Sequence, residues 1–384
     1  MDPIFRKILA NRDNQGRLRR LTLPRGIDFS SNGYLSLGTH PSVKASYLTR
    51  IQNHVLGSGG SRLLDGNSEL AEQLEDTVAA FHGAEAALLF NSGFEANTGL
   101  FACVPQPGDV VVYDELIHAS VHDGMRLSRA KTVSFKHNSV SSLREVLRGI
   151  TNDKVNVFVA VEGVYSMDGD VAPLREIVQC VKQETKRGFV IVDEAHSTGV
   201  FGDRGRGLVS QLGLEKDIWA RVHTFGKAMG CSGAMVLCSP TTREYMINYA
   251  RSLIYTTAMG PPSLIAIQVG YEHLMSGNAD AQRTHLFQLM EYAQLSCRKV
   301  ADKYPTMLQI GASSSPIIPL FTPNAKALAQ HCQQKGFMLR AVVAPTVPKG
   351  TDRVRLCLHA DNTTEEIDQL CAVIESWCKL HSKL

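Results

Sequence analysis

Two residues that could carry chemistry stand directly after short apolar runs of this sequence. The run FVIVD ends in Asp193, and RVHTF at 221–225 is followed by Gly226 and Lys227. A carboxylate at the end of a buried strand is costly unless a cation or a hydrogen-bond donor meets it. A protonated pyridine nitrogen is one such cation, and its charge makes an aromatic ring a better electron sink. A lysine desolvated at a strand end has a lowered pKa, which makes its amine a usable nucleophile.

Each of these residues also has a plain structural explanation, because Asp193 could cap a loop and Lys227 could begin an exposed one. A third possibility comes from the run Asp193-Glu194-Ala195-His196, which spells the helicase motif D-E-A-H. Helicases also need G-x-x-x-x-G-K-[ST] to cradle phosphates. Here Arg221 stands in place of the first glycine and Ala228 in place of the hydroxyl residue. The sequence therefore excludes a helicase.

A phosphate site is suggested by the turn after the run AALLF at 86–90. There Ser92, Gly93 and Phe94 lead into a predicted helix. Backbone N–H groups at a helix N-terminus bind phosphate, and glycine lets the backbone approach closely. Thr224, three residues before Lys227, could offer a hydroxyl to the same phosphate or cap a turn.

Two further turns bring polar residues to strand ends. His118 follows the run VVVY at 110–113, where an imidazole could stack on a flat ring, although a lone histidine is more often structural. Ser166 follows the run VNVFVAVE at 155–162 and offers a hydroxyl. Each motif is ambiguous by itself, but five of them follow five apolar runs in one chain.

The elements that must position these residues alternate along the first two thirds of the chain. Apolar runs predict strands at 86–90, 110–113, 155–162, 189–193, 221–225 and 233–238. Helical patterns predict helices at 68–82, 95–102, 118–128, 139–149 and 173–186. Such alternation indicates an α/β fold with a mostly parallel sheet covered on both faces. Ligands of such sheets sit at the carboxyl ends of the strands.

The C-terminal part of the chain shows a different pattern of predicted helices and strands. Residues 240–304 look helical, with a break at Pro261-Pro262, and the tail mixes apolar runs with predicted helices at 324–335 and 363–380. We therefore predict three parts. They are an N-terminal segment at 1–38, a large α/β domain at 39–272 and a small α+β domain at 273–384.

Composition narrows the possible classes. The 384 residues are 44% hydrophobic and 20% charged, with a net charge of +3, so nothing suggests a nucleic-acid partner. No apolar stretch is long enough to suggest a membrane partner. The nine cysteines show no metal-ligand spacing and are better explained as free thiols in a reducing compartment. We predict no metal site.

The two ends carry different signals. The first 20 residues lack the apolar core of a secretory signal and predict an N-terminal helix. The last three residues, Ser382-Lys383-Leu384, match the peroxisomal address that an import receptor reads. This predicts a peroxisomal location in a eukaryotic cell, and otherwise a cytoplasmic one.

Motifs along nearly the whole chain resemble those of the α-oxoamine synthases, a branch of fold-type I pyridoxal-phosphate enzymes. The matching runs are FSSNGYLSLG (29–38), GSGGSRLLDGN (57–67), NSGFEAN (91–97), HAS (118–120), EGVYSMDGD (162–170), VDEAHSTGVFGDRGRG (192–207), TFGKAMGCSGA (224–234) and PTVPKGTDRVRLCL (345–358). Within the family, the chain is most similar to the biotin-forming branch, which condenses pimeloyl-CoA with L-alanine, and to its fungal peroxisomal members.

The resemblance implies the fold-type I transferase fold, with a seven-stranded, mostly parallel sheet and a small C-terminal α+β domain. It also implies pyridoxal 5′-phosphate as cofactor, amino-acid and acyl-CoA substrates, and a homodimer whose active site lies at the subunit interface.

The resemblance also implies roles for individual residues. Lys227 would be the Schiff-base lysine, Asp193 would meet the pyridine nitrogen, His196 would bond the ring oxygen and His118 would stack on the ring. The remaining cofactor contacts would come from Ser92, Gly93, Phe94, Ser166, Thr224 and, lent across the dimer interface, Thr257. Asn32 and Arg355 would grip the amino-acid carboxylate, with Thr346 and Arg19 near substrate.

The chain departs from the family pattern in places that concern the acyl group. Gly33 stands where the family usually has aspartate, the chain runs almost directly from Arg20 to FSSN, and the loop IYTTAMGPP differs from the usual one. A secondary-metabolism synthase with another acyl thioester is therefore the main alternative. Alternatives from other classes are an aminotransferase or aldolase, and a non-catalytic partner subunit, which would be expected to lack Lys227.

Overall fold

The computed structural model describes residues 1–382. Its helices are α1 (Asp2–Asn14), α2 (Pro41–Ile51), α3 (Glu69–Phe81), α4 (Gly93–Cys103), α5 (Ala119–Ser128), α6 (Val140–Arg148), α7 (Leu174–Glu184), α8 (Leu208–Gln211), α9 (Pro240–Tyr249), α10 (Arg251–Ile254), α11 (Pro261–Met275), α12 (Asp280–Lys303), α13 (Ala325–Gln334) and α14 (Thr364–His381). Its strands are β1 (Ile27–Asp28), β2 (Ala86–Phe90), β3 (Val110–Asp114), β4 (Lys131–Phe135), β5 (Val157–Glu162), β6 (Gly188–Asp193), β7 (Ala220–Thr224), β8 (Ala234–Cys238), β9 (Gln309–Ile310), β10 (Ile317–Phe321), β11 (Phe337–Met338), β12 (Arg340–Val342) and β13 (Arg353–Cys357). The helices and strands predicted from the sequence are all present, with ends that differ by a few residues.

The large sheet has seven strands in the order β2-β8-β7-β6-β5-β3-β4. Only β8 runs against its neighbours, β2 and β7. The other pairs are parallel, so their carboxyl ends lie along one edge. The α/β, fold-type I architecture with a mostly parallel seven-stranded sheet is confirmed.

Strand β4 was missed by the sequence reasoning, which identified six strands. Its residues KTVSF are mostly exposed, and only Phe135 is buried. An edge strand pairs on one side only and needs no continuous apolar run, so it carries a weak signal.

Both faces of the sheet are buried because successive side chains of a strand point to opposite sides. In β3, Val110 and Val112 join one core cluster while Val111 joins the other. Helices α3, α6, α7 and α11 supply buried residues to the first cluster, and α4, α5, α9 and α10 to the second. This double burial explains why the strands read as continuous apolar runs.

The C-terminal part forms a four-stranded antiparallel sheet in the order β12-β13-β10-β9. Helices α12 and α13 pack on it and α14 packs against these two helices, and the buried side chain of Trp377 belongs to the same cluster as the large sheet. Strand β1 pairs in parallel with β11, which attaches the N-terminal segment to this C-terminal part. The exact domain limits stay a prediction.

The N-terminal helix predicted from the sequence is present as α1, and none of its residues is buried. All nine cysteines are free, and eight of them are buried. Within residues 1–382, no helix is long and apolar enough to cross a membrane. Of the predicted peroxisomal tripeptide, Lys383 and Leu384 lie outside the described residues.

Candidate active site

The polar residues singled out in the sequence converge at the carboxyl edge of the large sheet. Strand β5 ends at Glu162 and β6 at Asp193, and these two residues are in register. Strand β7 ends at Thr224, three residues before Lys227. Parallel strands place their carboxyl ends side by side, so residues far apart in sequence become neighbours.

Asp193 is almost fully buried, with 7% of its surface exposed. Its carboxylate accepts hydrogen bonds from Asn97 Nδ2 at 2.7 Å and from the Ala195 backbone N–H at 2.9 Å. Both donors are neutral, and within residues 1–382 this carboxylate forms no ion pair. A buried carboxylate with only neutral donors suits a cationic group placed at the strand end.

Lys227 lies in the turn after β7 and is partly buried. Burial lowers the pKa of its amine, against the opposite effect of the nearby carboxyl groups of Asp193 and Glu162. A lowered pKa raises the share of free amine, which can act as nucleophile and as base. The amine therefore lies within electrostatic reach of the two carboxyl groups at the strand ends.

His196 is 4% exposed and lies three residues after Asp193. Its Nδ1 atom is 2.7 Å from the hydroxyl of the fully buried Tyr34. Burial holds the pKa of His196 well below its usual value, so the imidazole is neutral near pH 7. Tyr34 lies in the FSSNGYLSLG run, but the sequence reasoning assigned it no role.

His118 is the N-cap residue of α5. Its Nδ1 atom is 2.7 Å from Ser120 Oγ, and Ser120 Oγ accepts a hydrogen bond from Asn97 Nδ2 at 3.1 Å. Asn97 thus contacts both Asp193 and Ser120, so that His118 and Asp193 are held by one chain of hydrogen bonds. Sequence reasoning missed Asn97 and Ser120 as functional residues, although both lie inside matching runs.

The predicted phosphate residues meet at the N-terminus of α4. Ser92 caps this helix, with its Oγ accepting from the Glu95 N–H at 3.1 Å. A Cβ atom on Gly93 would lie 2.3 Å from Thr224 Oγ1, so only glycine permits this approach. The N-terminus of α4 and the Thr224 side chain therefore lie next to each other, an arrangement that suits a phosphate.

Phe94 and Ser166 are two further residues predicted to contact the cofactor. The ring of Phe94 is 47% exposed and meets His118 edge-on, with 6.4 Å between ring centroids. Ser166 is partly buried in the turn after β5. Neither position conflicts with the predicted cofactor contacts, which stay predictions.

Arg355 and Asn32 are brought together from opposite ends of the chain. Arg355 Nη2 donates to Asn32 Oδ1 at 2.8 Å and approaches the Tyr34 hydroxyl at 3.4 Å. The buried Nε atom of Arg355 has no hydrogen-bond partner within residues 1–382. An unsatisfied buried guanidinium donor is the feature expected where a carboxylate binds.

Arg19, Thr346 and Met167 line one cleft together with Arg355. The structure therefore places both predicted substrate-side residues in the same cleft as Arg355. Thr257 lies elsewhere, with its backbone oxygen accepting from Asn91 Nδ2 at 3.0 Å and its side chain exposed. Its predicted role across a subunit interface stays a prediction.

Glu162 is a further buried residue that sequence reasoning did not assign. It is 3% exposed and sits beside Asp193 on the neighbouring strand. Burial and the adjacent charge of Asp193 raise the pKa of Glu162 well above its usual value, so that this side chain is a neutral acid. Its place at the end of an apolar strand was the available signal.

Pyridoxal 5′-phosphate fits this set of residues. A carboxylate without an ion pair, a close approach of Gly93 to Thr224 at a helix N-terminus and an amine of lowered pKa occur together. Asp193 would hold the pyridine nitrogen, α4 and Thr224 the phosphate, and Lys227 the aldehyde carbon. When bound, the cofactor supplies an electron sink for a carbanion.

Comparisons with known proteins agree with this geometry. Residues 24–374 match the family model described as aminotransferase class I and II. The chain is 49% identical to an 8-amino-7-oxononanoate synthase of Emericella nidulans, over 99% of this chain and 96% of that protein. It is 38% identical to the aminoacyl transferase sphA of Aspergillus fumigatus, over 91% of this chain and 80% of that protein.

Among solved structures, the fold is similar to a serine palmitoyltransferase variant from S. paucimobilis with a bound PLP–myriocin aldimine. The TM-score is 0.86 at 26% identity, over 99% of this chain and 98% of that chain. The carboxyl-edge geometry, the cofactor fit and these similarities lead to one conclusion. The chain belongs to the aminotransferase class I and II family and, within it, to the α-oxoamine synthases, which are acyltransferases that use pyridoxal 5′-phosphate.

Proposed function

We propose that this enzyme condenses L-alanine with pimeloyl-CoA, giving 8-amino-7-oxononanoate, CoA and CO2 in biotin synthesis. The observation that carries the proposal is the contact between Arg355 and Asn32. The charge of Arg355 also acts on Lys227 and His196, and its Nε donor, unpaired within the described part of the chain, suits a carboxylate. The 49% identity to a relative named 8-amino-7-oxononanoate synthase supports the choice of substrates.

Each side chain of the site has its own role in the proposed reaction. Arg355 and Asn32 bind the amino-acid carboxylate, and the lowered pKa of Lys227 lets its amine remove the Cα proton. Asp193, oriented by Asn97, would hold a proton on the ring nitrogen of the cofactor, and neutral His196 would donate to its ring oxygen. The Cα atom then forms a bond to the acyl carbonyl carbon, the C–S bond breaks, and CoA leaves as its thiol with the proton that Lys227 took from Cα. The carboxylate leaves as CO2, and a proton from solvent takes its place on the Cα atom.

The test is a matrix of CoA-release and CO2-release assays with purified holoenzyme. Pimeloyl-CoA and other acyl-CoAs are crossed with alanine, glycine and serine. We expect stoichiometric CoA and CO2 release with pimeloyl-CoA and alanine at the highest kcat/KM. Turnover only with another acyl-CoA would overturn the biotin assignment, and keto-acid formation without CoA release would indicate an aminotransferase.

A second candidate is an α-oxoamine synthase of secondary metabolism that uses another acyl thioester or amino acid. The 38% identity to sphA and the similarity to serine palmitoyltransferase favour it, as does Gly33 in the segment between Asn32 and Tyr34. In the same matrix, this candidate predicts the highest kcat/KM for a long-chain acyl-CoA or for serine or glycine.

We propose that the enzyme is a homodimer with Thr257 at the interface. The loop containing Thr257 is joined to a second loop, since Ala258 N–H donates to Gly60 O at 2.8 Å. Together the two loops expose large apolar side chains, with Leu56 82%, Leu64 78% and Tyr255 71% exposed. Apolar surface of this extent is typical of a protein contact.

Sedimentation analysis of the wild type and a Leu64→Asp variant tests the dimer. We expect two chains per particle in the wild type and weakened association in the variant, with a matched Leu127→Asp control unchanged. Leu127 is also exposed, at 64%, but lies on α5. Mixing inactive Lys227→Ala and Thr257→Val subunits should restore activity if the site is shared between chains.

We also propose that Ser382-Lys383-Leu384 directs the protein to peroxisomes. A fluorescent protein fused ahead of the full chain should colocalise with a peroxisomal marker in a fungal cell. Replacing Leu384 with aspartate should release it to the cytoplasm. Identical distributions of the two fusions would contradict the proposal.

A further inference from the structure

One cleft of the molecule concentrates positive charge. It encloses about 590 Å³ between the N-terminal segment, the stretch 340–346 and Arg355. Its lining includes seven arginine or lysine side chains and no aspartate or glutamate. These seven are Arg12, Arg17, Arg19, Arg20, Lys326, Arg340 and Arg355. Because the whole chain has 40 basic and 37 acidic residues, this grouping is a strong local departure from balance.

The seven charges are not neutralised by the protein. Within residues 1–382, the ion pairs involve other side chains. The hydrogen bonds of the cleft cations go to neutral acceptors: Lys326 donates to the Gly16 carbonyl and Arg340 Nη2 to Thr22 Oγ1 at 2.7 Å. Like charges gathered without counter-charges repel one another, and such an arrangement is typical of a site for anions.

The cleft has an inner and an outer end. Arg355 lies at the inner end, where it contacts Asn32 and its charge acts on the amine of Lys227. Lys326, Arg340 and the arginines of the N-terminal segment are exposed at the outer end. A substrate that spans the cleft would have its reacting carbon at the inner end, near Arg355, and several negative charges at the outer end.

We propose that the outer cations, with Lys326 and Arg340 as the wall supplied by the C-terminal part, bind the phosphate groups of the coenzyme A thioester. The proposal rests on the proposed function, because it assumes an acyl-CoA substrate. Coenzyme A carries a diphosphate and a 3′-phosphate at the end remote from its thioester, which matches the distribution of charge in the cleft. The distal carboxylate of a dicarboxylic acyl group is a second source of anionic charge, but a single carboxylate needs only one of these cations.

A double variant, Lys326→Gln with Arg340→Gln, removes two cations from the cleft and keeps polar side chains there. Its matched control is Lys131→Gln with Arg175→Gln, which removes one lysine and one arginine from exposed positions on β4 and α7. Both are compared with the wild-type holoenzyme. Binding of free CoA is measured by titration calorimetry, which needs no turnover and so does not depend on the identity of the acyl group.

We expect the cleft variant to bind CoA on the order of tenfold more weakly, with the control unchanged. Dephospho-CoA, which lacks the 3′-phosphate, should bind the wild type more weakly than CoA does. Equal CoA affinity in the wild type and the cleft variant would overturn the proposal. If CoA binds as expected but no acyl-CoA is turned over, the proposed reaction fails while the site stands.

Steady-state kinetics separate the two sources of negative charge. The KM for acyl-CoA should rise in the cleft variant with kcat unchanged, while the KM for the acyl N-acetylcysteamine thioester, which has no phosphate, should not move. Heptanoyl-CoA and pimeloyl-CoA have equal chain lengths, and both should show the effect. The contrary result is a KM that rises for pimeloyl-CoA and for its N-acetylcysteamine thioester but not for heptanoyl-CoA. It would show that the cations bind the distal carboxylate and would overturn the phosphate assignment.

Discussion

The cofactor region and the basic cleft meet at Arg355 but are built differently. In the cofactor region, Asp193 is buried and oriented by Asn97, which also holds Ser120. In the cleft, the cations apart from Arg355 are exposed and bond to neutral acceptors of a short chain segment. The first arrangement fixes a few charges where water is excluded, whereas the second presents many charges to solvent.

This difference indicates that the charged groups of the two regions have different roles. A fixed, buried charge stabilises a reacting group without reorganisation, so small displacements are costly. Exposed cations attract and hold an anionic substrate, and each contributes a modest, salt-sensitive share. Substitutions in the cofactor region should therefore change kcat strongly, and those in the cleft should change KM modestly.

The largest effect is expected for Lys227→Ala. Removal of the amine should lower turnover by at least about 10³-fold, because a positioned acid–base group contributes roughly 10² to 10⁴-fold and the same residue also holds the cofactor. Circular dichroism and the melting temperature should stay close to those of a Lys131→Ala control. Turnover within tenfold of the wild type would remove Lys227 from the catalytic set.

An intermediate effect is expected for Asn97→Leu, which keeps the size of the side chain but removes its two donors. Asp193 and Ser120 should lose their alignment, and kcat should fall roughly 10- to 100-fold, as for other residues that orient a functional ligand. The absorbance maximum of the bound cofactor should shift with pH differently from the wild type. An exposed Asn248→Leu control should behave as wild type. Unchanged kcat and unchanged spectra would show that Asn97 is not a positioning residue.

A smaller effect is expected for Arg19→Gln. Loss of one exposed cation of the cleft should raise the KM for acyl-CoA by up to about tenfold and leave kcat and the KM for the amino acid unchanged. Added sodium chloride should raise the wild-type KM more than that of the variant. A drop in kcat as large as that of Asn97→Leu would erase the proposed distinction between the two regions.

The smallest effect concerns acid stability beneath the cofactor region. His82 is fully buried and packs against His223 in a tilted arrangement with ring centroids 4.0 Å apart. Its Nε2 atom is 3.0 Å from Tyr271 Oη. Burial lowers the pKa of His82 to about 3, so between about pH 3 and pH 6.5 the unfolded chain binds a proton that the folded chain does not. Stability should therefore fall as pH drops below 6.5 and should be unaffected by this residue above it.

Melting temperatures from pH 5 to pH 8 measure this effect. The wild type should lose several degrees on acidification, and His82→Gln should flatten that dependence, whereas a His54→Gln control on the surface should not. A parallel pH dependence in the His82→Gln variant would assign the acid sensitivity to other groups. His223 is the first alternative, since burial holds its pKa well below the usual value.

The sequence by itself determined the central strands, the helices between them and most of the cofactor region. Residues such as Asp193, Lys227 and Gly93 follow directly on apolar runs, and parallel strands necessarily bring their carboxyl ends together. These features are local or follow from one topological rule, so they can be predicted from residue order. The resemblance to a family then supplied the roles of Arg355 and Asn32.

Only the tertiary structure decided which distant side chains meet. The bonds of Asn97, the contact of Tyr34 with His196 and the gathering of seven cations join segments up to several hundred residues apart, and no periodicity marks them. Edge strand β4 was not predicted for a related reason. Most of its side chains are exposed to solvent, so its sequence shows no continuous apolar run. Long-range contacts depend on how whole elements pack, and that information is spread over the entire chain.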